Sequence, residues 1–270
     1  MKKKLKNVLV FAITSSMADF VVKKLLEEDV FVYGTKRSDY NFTHKNLRVD
    51  KVDLSNEDEI NAYFNSVDVK FDAVICFQGV AISSPVEFLD KRELQKQLDN
   101  SLFSYLYILK NLPNKMNKDG IVIGLSSMAA FGIYPFLAPY SISKSSVDTL
   151  LNCFEIETGI KTVSIKPGVV GTKFWQFSVR ENEKNFEKFK DRYYDVGIFL
   201  KKNALKNANR GLSPEDVSKL IYNILYKNNP KTSYCIGIDS IAAKFVSNFK
   251  SHFLNSIIRK FLGKRMNNER

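Results

Sequence analysis

Cysteine is scarce, three in 270 residues, and Cys76, Cys153 and Cys235 form no CxxC pair and have no histidine cluster beside them. Neither a zinc site nor a disulfide framework is indicated, and a reducing, cytoplasmic compartment is expected. The two histidines, His44 and His252, stand apart, which leaves metal catalysis and a Ser-His-Asp triad without a partner set. No uninterrupted apolar stretch is long enough to span a bilayer. Linkers rich in proline or glycine, internal repeats and low-complexity tracts are also missing, so residues 1–270 are expected to form one domain. Glycine is absent from "FAITSSMADF", residues 11–20, which joins a strand-like run to a helix-like one.

Hydrophobic residues make up 44% and charged residues 26% of the chain, enough for a large buried core. Lys and Arg total 41 against 29 acidic residues, a formal charge of +12. That balance suits nucleotides, phosphorylated metabolites, nucleic acid or a membrane surface, or is simply a basic, soluble exterior. No recognition helix or zinc finger accompanies it, so no nucleic-acid partner is expected. The start, "MKKKLKNVLVFAITSSMA", has the outline of a signal peptide. Its apolar core, Val8 to Ile13, is short, and the amphipathic "DFVVKKLLEEDVFVYG" behind it makes the first run more useful as a strand.

Strand-like runs recur at "NVLVFA", "VFVYG", "LRVDKVDL", "DAVICF", "GIVIGLSS", "TVSIKPG" and "SYCIGI". Helical patterns lie between them at about 16–27, 56–65, 86–112, 139–158 and 214–227. This alternation predicts an α/β fold, a doubly wound parallel sheet in three α/β/α layers of Rossmann-like form. Two segments stand outside it: a charged, aromatic stretch at 173–210 and a basic tail at 240–270.

Ligands of such a sheet bind at the carboxyl ends of the strands. After the fifth strand, Tyr140 and Lys144 stand one turn apart on a predicted helix. A nearby ammonium favours the phenolate, which would bring Tyr140 from about 10 toward neutral pH and make it a general acid or base.

With these residues placed, the chain resembles the short-chain dehydrogenases/reductases, in their compact single-domain branch, over residues 7 to about 238. "GLSSMAA" resembles the segment with the catalytic serine and places Ser127 thirteen residues before Tyr140. "LDNSLFSYLYIL" resembles the helix with the family's asparagine, here Asn100. "SIKPGVVGTKF" places Pro167, Gly168, Val170 and Thr172 beside the nicotinamide and phosphates, and "KVDLS" places Asp53 and Leu54 beside the adenine. The resemblance implies that Tyr140 protonates a carbonyl as hydride arrives and Ser127 holds that oxygen. It implies that Lys144 grips the nicotinamide ribose and depresses the Tyr140 pKa, and that Asn100 anchors a water of the proton relay.

Where family members carry Thr-Gly-x-x-x-Gly-x-Gly, this chain has Phe11, Ala12, Ser16 and Ala18. Small residues keep the backbone close to a pyrophosphate, while a position needing positive φ would cost roughly 1 kcal/mol or more. Thr14, Ser15 and Ser16 add hydroxyls beside a helix N-terminus, with Met17 following, so a modified phosphate loop is expected. "CFQGVA" likewise replaces Asn-Asn-Ala-Gly and puts Gln78 and Gly79 at the site. At the end of the second strand Lys36 and Arg37 replace the acidic residue of NAD-preferring members, which predicts NADP(H).

The 173–210 segment corresponds to the family's substrate lid, with Phe174, Trp175, Phe177, Tyr193, Tyr194 and Phe199 to cover an apolar substrate or to pack the lid itself. The region around "SPEDVSKLIYNILYKNNPKTSYCIG" is similar to members acting on lipid-like alcohols and ketones. In the tail, Ile241, Phe245, Phe249, Phe253, Ile257 and Phe261 predict one long basic amphipathic helix. It would lie on an anionic membrane or dock on the domain or a second subunit, and a homo-oligomer is expected. Two functions are left: an NADP(H)-dependent oxidoreductase interconverting a small-molecule ketone or aldehyde and an alcohol, and a noncatalytic nucleotide-sensing or interaction protein on the same fold.

Overall fold

The computed structural model describes residues 4–248. Its centre is a seven-stranded, fully parallel sheet in the order β3-β2-β1-β4-β5-β6-β7. The strands are β1 (Asn7–Phe11), β2 (Phe31–Lys36), β3 (Leu47–Lys51), β4 (Phe71–Cys76), β5 (Met116–Leu125), β6 (Lys161–Pro167) and β7 (Ser233–Ile236). The first apolar run is thus a middle strand, in register with both β2 and β4. Both faces of the sheet are covered, which is why these strands read as near-continuous apolar runs.

On one face, α1 (Asp19–Glu27) and α8 (Pro214–Leu225) bury Val21, Val22, Leu25, Val217, Ile221 and Leu225 against Val8, Val10, Ile75 and Ile123. Ser218 Oγ accepts from Val21 N–H at 2.8 Å and so satisfies a first-turn donor of α1. The other face carries α2 (Glu57–Ser66), α4 (Ser104–Asn111) and α5 (Ala138–Thr158), packed around Leu9, Phe11, Val74 and Val122. Asn56 caps α2 by accepting from Asp58 and Glu59 N–H, and three acidic residues follow in the first turn, where the helix dipole favours them.

The single helix expected over 86–112 is broken. A 3₁₀ turn at Val86–Phe88 is followed by α3 (Lys91–Leu98), which starts afresh at an Asp90/Glu93 capping box. A π-helical turn, Asp99–Phe103, then separates α3 from α4. Such turns insert a residue into the helix and often mark functional sites. The 173–210 segment folds as α6 (Phe174–Glu181) and α7 (Glu183–Asn207), the latter kinked at Tyr193. In the tail, α9 (Ile238–Val246) ends where Ser247–Asn248 turn. The remainder of the long amphipathic helix predicted there lies outside the described residues.

Candidate active site

In this strand order the chain reverses direction across the sheet between β1 and β4, and a crevice opens at their carboxyl ends. All of the residues expected at the site line one cleft of about 1040 Å³ at this end.

Its first wall is the loop after β1. Ala12 adopts φ +55°, a left-handed conformation that costs a residue with a Cβ about 1–2 kcal/mol. Ala12 N–H donates to Thr35 Oγ1 at 3.3 Å and Ile13 N–H to the Thr35 carbonyl at 3.0 Å, so β2 holds the turn in place. Ser16 and Ala18 are not among the positive-φ residues, and the strain of the missing glycines falls on Ala12 alone. Ala18 caps α1 without a side-chain acceptor, which leaves the helix N-terminus open to an anion. Ser15 Oγ is already used, accepting from Met17 N–H at 3.3 Å. Ala12→Gly should therefore stabilise the protein by up to about 1 kcal/mol, the relief of strain being partly offset by the freer unfolded chain. Denaturant unfolding measures it, and an unchanged or lower midpoint would count against strain at this turn.

At the far end stand Lys36 and Arg37. Arg37 Nη1 reaches Asn100 Oδ1 at 3.4 Å across the cleft. Asn100 belongs to the π-helical turn, and its Nδ2 donates to the Lys96 carbonyl at 2.9 Å. Asp53 and Leu54 lie beside them, but Asp53 Oδ1 accepts from both Ser55 N–H (2.9 Å) and Ser55 Oγ (2.7 Å). The Ser55 bonds, with Arg37 nearby, hold its carboxyl below the usual range.

The third wall comes from β5 and α5. Lys144 is buried, 3% exposed, and its Nζ donates to the Leu125 carbonyl at 2.8 Å. Burial lowers its pKa to about 8, opposed by Asp148 and Cys76. Gly79 leaves room for it, since a Cβ there would lie 3.2 Å from Nζ. The expected depression of Tyr140 by Lys144 is not found. Nζ lies 5.8 Å from the Tyr140 ring centroid and is turned to Leu125, so burial raises the phenol and only the Ser127 hydroxyl acts the other way. Ser127 also accepts from Ala129 N–H at 3.1 Å. Cys76, behind Lys144, is pushed up to about 12 by burial and is no nucleophile.

Pro167, Gly168, Val170 and Thr172 close the cleft after β6. Gly168 packs on Asp239, whose Oδ1 would be 1.7 Å from an added Cβ, and Asp239 Oδ2 accepts from Val169 N–H at 2.6 Å. Of the aromatics in the 173–210 segment, Phe174, Trp175 and Phe177 line the cleft. Phe174 lies 6.4 Å from the Tyr140 ring, and Trp175 Nε1 donates to the Val170 carbonyl at 2.8 Å. Tyr193 instead packs on Phe88, Phe136 and Phe189, and Tyr194 and Phe199 do not line the cleft.

Sequence reasoning missed Thr35, Asp19, Tyr134 and Leu137, all of which line the cleft. It also missed Tyr105, whose hydroxyl accepts from Leu125 N–H at 2.9 Å and donates to the Cys76 carbonyl at 3.1 Å, joining the ends of β4 and β5. The "FGIYPFLAPY" stretch between Ser127 and Tyr140 was the available signal for Tyr134 and Leu137. The cleft fits a dinucleotide. It has cations at one end, an uncapped helix N-terminus in the middle and a Tyr-Ser-Lys group at the other. The Gln78 amide is buried on its wall beside the Cys76 thiol, and among the described residues neither Nε2 nor Oε1 has a well-formed hydrogen bond, a state that a ligand or water would relieve.

A family model described as short chain dehydrogenase matches residues 6–183. The 3-amino-tetrahydro-pyrrolizinone reductase of Xenorhabdus hominickii is 26% identical over 251 residues, covering 87% of this chain and 88% of the relative. The NADPH-dependent 3-dehydrocapnine reductase of Ornithobacterium rhinotracheale is 24% identical, covering 84% and 87%. Among solved structures, a Burkholderia cenocepacia short chain dehydrogenase in complex with NADP superposes with a TM-score of 0.73 at 14% identity, covering 95% of this chain and 98% of that one.

Proposed function

The chain belongs to the short-chain dehydrogenase/reductase family, and from that premise we propose that it reduces a ketone or aldehyde to an alcohol with NADPH. It is an NAD(P)-dependent oxidoreductase; the proposal adds the cofactor form, the residues and the substrate class. The observation that carries it is the convergence of Ser127, Tyr140 and Lys144 at one end of the cleft that holds Lys36, Arg37 and Asn100 at the other.

Lys36 and Arg37 would hold the 2′-phosphate, the Ala12–Met17 loop the pyrophosphate, Asp53 and Leu54 the adenine side, and Gln78 and Gly79 the riboses. Pro167, Gly168, Val170 and Thr172 would face the nicotinamide. Bound there, NADPH supplies the hydride. Tyr140 gives its phenolic proton to the carbonyl oxygen, and Ser127 donates a hydrogen bond that fixes that oxygen. Lys144 carries a positive charge at the cleft floor, while the Asn100 side chain, engaged by Arg37 at the far end and by the Lys96 carbonyl, is not beside Tyr140 and takes no part in its reprotonation, which falls to solvent. The aromatic wall of Tyr134, Phe174, Trp175 and Phe177 excludes water and favours an apolar, lipid-like carbonyl compound.

Fluorescence titration with NADPH and NADH, followed by NADPH oxidation in the presence of a panel of apolar ketones and aldehydes, tests the reading. Tighter binding of NADPH with turnover is the expected result. Failure to bind either nucleotide would overturn it in favour of a noncatalytic interaction protein.

A further inference from the structure

Asp148 follows Lys144 by one turn of α5, so the two side chains leave the helix on one face. The Asp148 carboxylate is turned toward β6, away from the cleft lining. Its Oδ2 accepts from Lys166 Nζ at 3.0 Å and its Oδ1 from Ser164 Oγ at 2.6 Å. Lys166 is held in turn by Ser233 Oγ at 2.8 Å and Ser164 Oγ at 3.3 Å, and lies 5.3 Å from the Phe131 ring centroid. The two side chains are 7% (Lys166) and 16% (Asp148) exposed. A buried ion pair is seldom more stabilising than apolar residues of the same volume. Its place one helical turn from the buried Lys144 gives it another use.

We propose that Asp148, clamped by Lys166, is a positioning residue that supplies the counter-charge keeping the Lys144 ammonium protonated at the cleft floor. This rests on the reading of Lys144 as part of the cofactor site. Lys144 faces Tyr140 from its own helix, the Leu125 carbonyl from β5, and Cys76 and Gly79 from β4 and the loop after it. Tyr105 of α4 donates to the Cys76 carbonyl and accepts from the N–H of Leu125, whose carbonyl Lys144 also engages. Burial keeps Tyr140, Tyr105 and Cys76 in their neutral forms. Among the described residues, Asp148 is therefore the carboxylate that opposes the burial of Lys144. Lys166 fixes the carboxylate in place, at the cost of tempering its field.

The test is the titration of the Lys144 ¹³Cε resonance in lysine-labelled protein, identified by its loss in Lys144→Met, read beside the pH profile of NADPH-dependent turnover. Asp148→Asn should lower the Lys144 titration by about one pH unit and move the alkaline limb of turnover to lower pH by the same amount. Asp148→Glu should return both toward wild type. A purely structural ion pair would lower the melting temperature and leave the Lys144 titration in the folded protein where it was, which would overturn the proposal. Should Asp148→Asn fail to fold, Asp148→Asn with Lys166→Met leaves no lone buried charge; the shift then keeps its sign at about half the size, and its absence is equally fatal. A wild type that binds no nucleotide but whose Lys144 titration still follows Asp148 would sink the oxidoreductase reading of the site and support the charge coupling.

Discussion

Replacing Tyr140 by phenylalanine cuts carbonyl turnover by about two to four orders of magnitude, while NADPH affinity and the melting temperature stay near those of the wild type. The ring keeps its contact with Phe174 and its place on α5, and only the hydroxyl beside Ser127 is lost. Proton donation to the carbonyl oxygen then falls to water, without the positioning that the helix provides. The raised Tyr140 pKa sharpens the expectation. In the reducing direction the phenol is already protonated throughout the neutral range, so the Tyr140-dependent rate is flat there. In the oxidising direction the phenolate is needed, and the rate climbs as pH rises. Stopped-flow or steady-state NADPH oxidation across pH, wild type against Tyr140→Phe, reads both. Equal turnover by the two proteins would remove Tyr140 from the chemistry.

Lys36→Ala with Arg37→Ala weakens NADPH by on the order of 30- to 100-fold and NADH by less than about threefold. Charge-assisted hydrogen bonds are worth about 1.5–3 kcal/mol each, and partial exposure at the mouth of the cleft discounts the pair below that, to about 2–2.7 kcal/mol in all. The difference shrinks with added salt, because the charges are close to solvent. Titrating both nucleotides at low and high ionic strength separates the outcomes. Equal losses for the two would mean that the cations serve the pyrophosphate in general and do not select the 2′-phosphate.

Much of this architecture was legible in the residues. Runs such as Asn7–Phe11 and Phe71–Cys76 are apolar on both faces because helices cover both sides of the sheet. Tyr140 and Lys144 share a helical face by spacing alone. The break at Asp99–Phe103 was hidden because "LDNSLFSYLY" holds no glycine or proline to announce it. The sequence raised a positive φ for the glycine positions but did not say which of Ala12, Ser16 and Ala18 carries it, since that conformation is held by Thr35 from a neighbouring strand. The neutral state of Tyr140 escaped for a similar reason: four-residue spacing brings Lys144 alongside, while the Leu125 carbonyl decides where its ammonium points. Tyr105 joins two strand ends through three-dimensional neighbours that local pattern cannot supply.

The strand order also sets the sequence of events during synthesis. β1 emerges early but lies between β2 and β4, and β4 begins only at Phe71. Each later strand then docks on the growing edge, β5 on β4, β6 on β5 and β7 on β6. With a ribosome adding about 5–20 residues per second, the Ala12–Met17 loop waits for seconds before Pro167–Thr172 exists to face it. The strained Ala12 turn needs only β2 to hold it, so it is built long before there is a cleft to line. A nascent chain halted within α5 would carry five of the seven strands with an open β5 edge, a stage exposed to capture by chaperones or by its own copies.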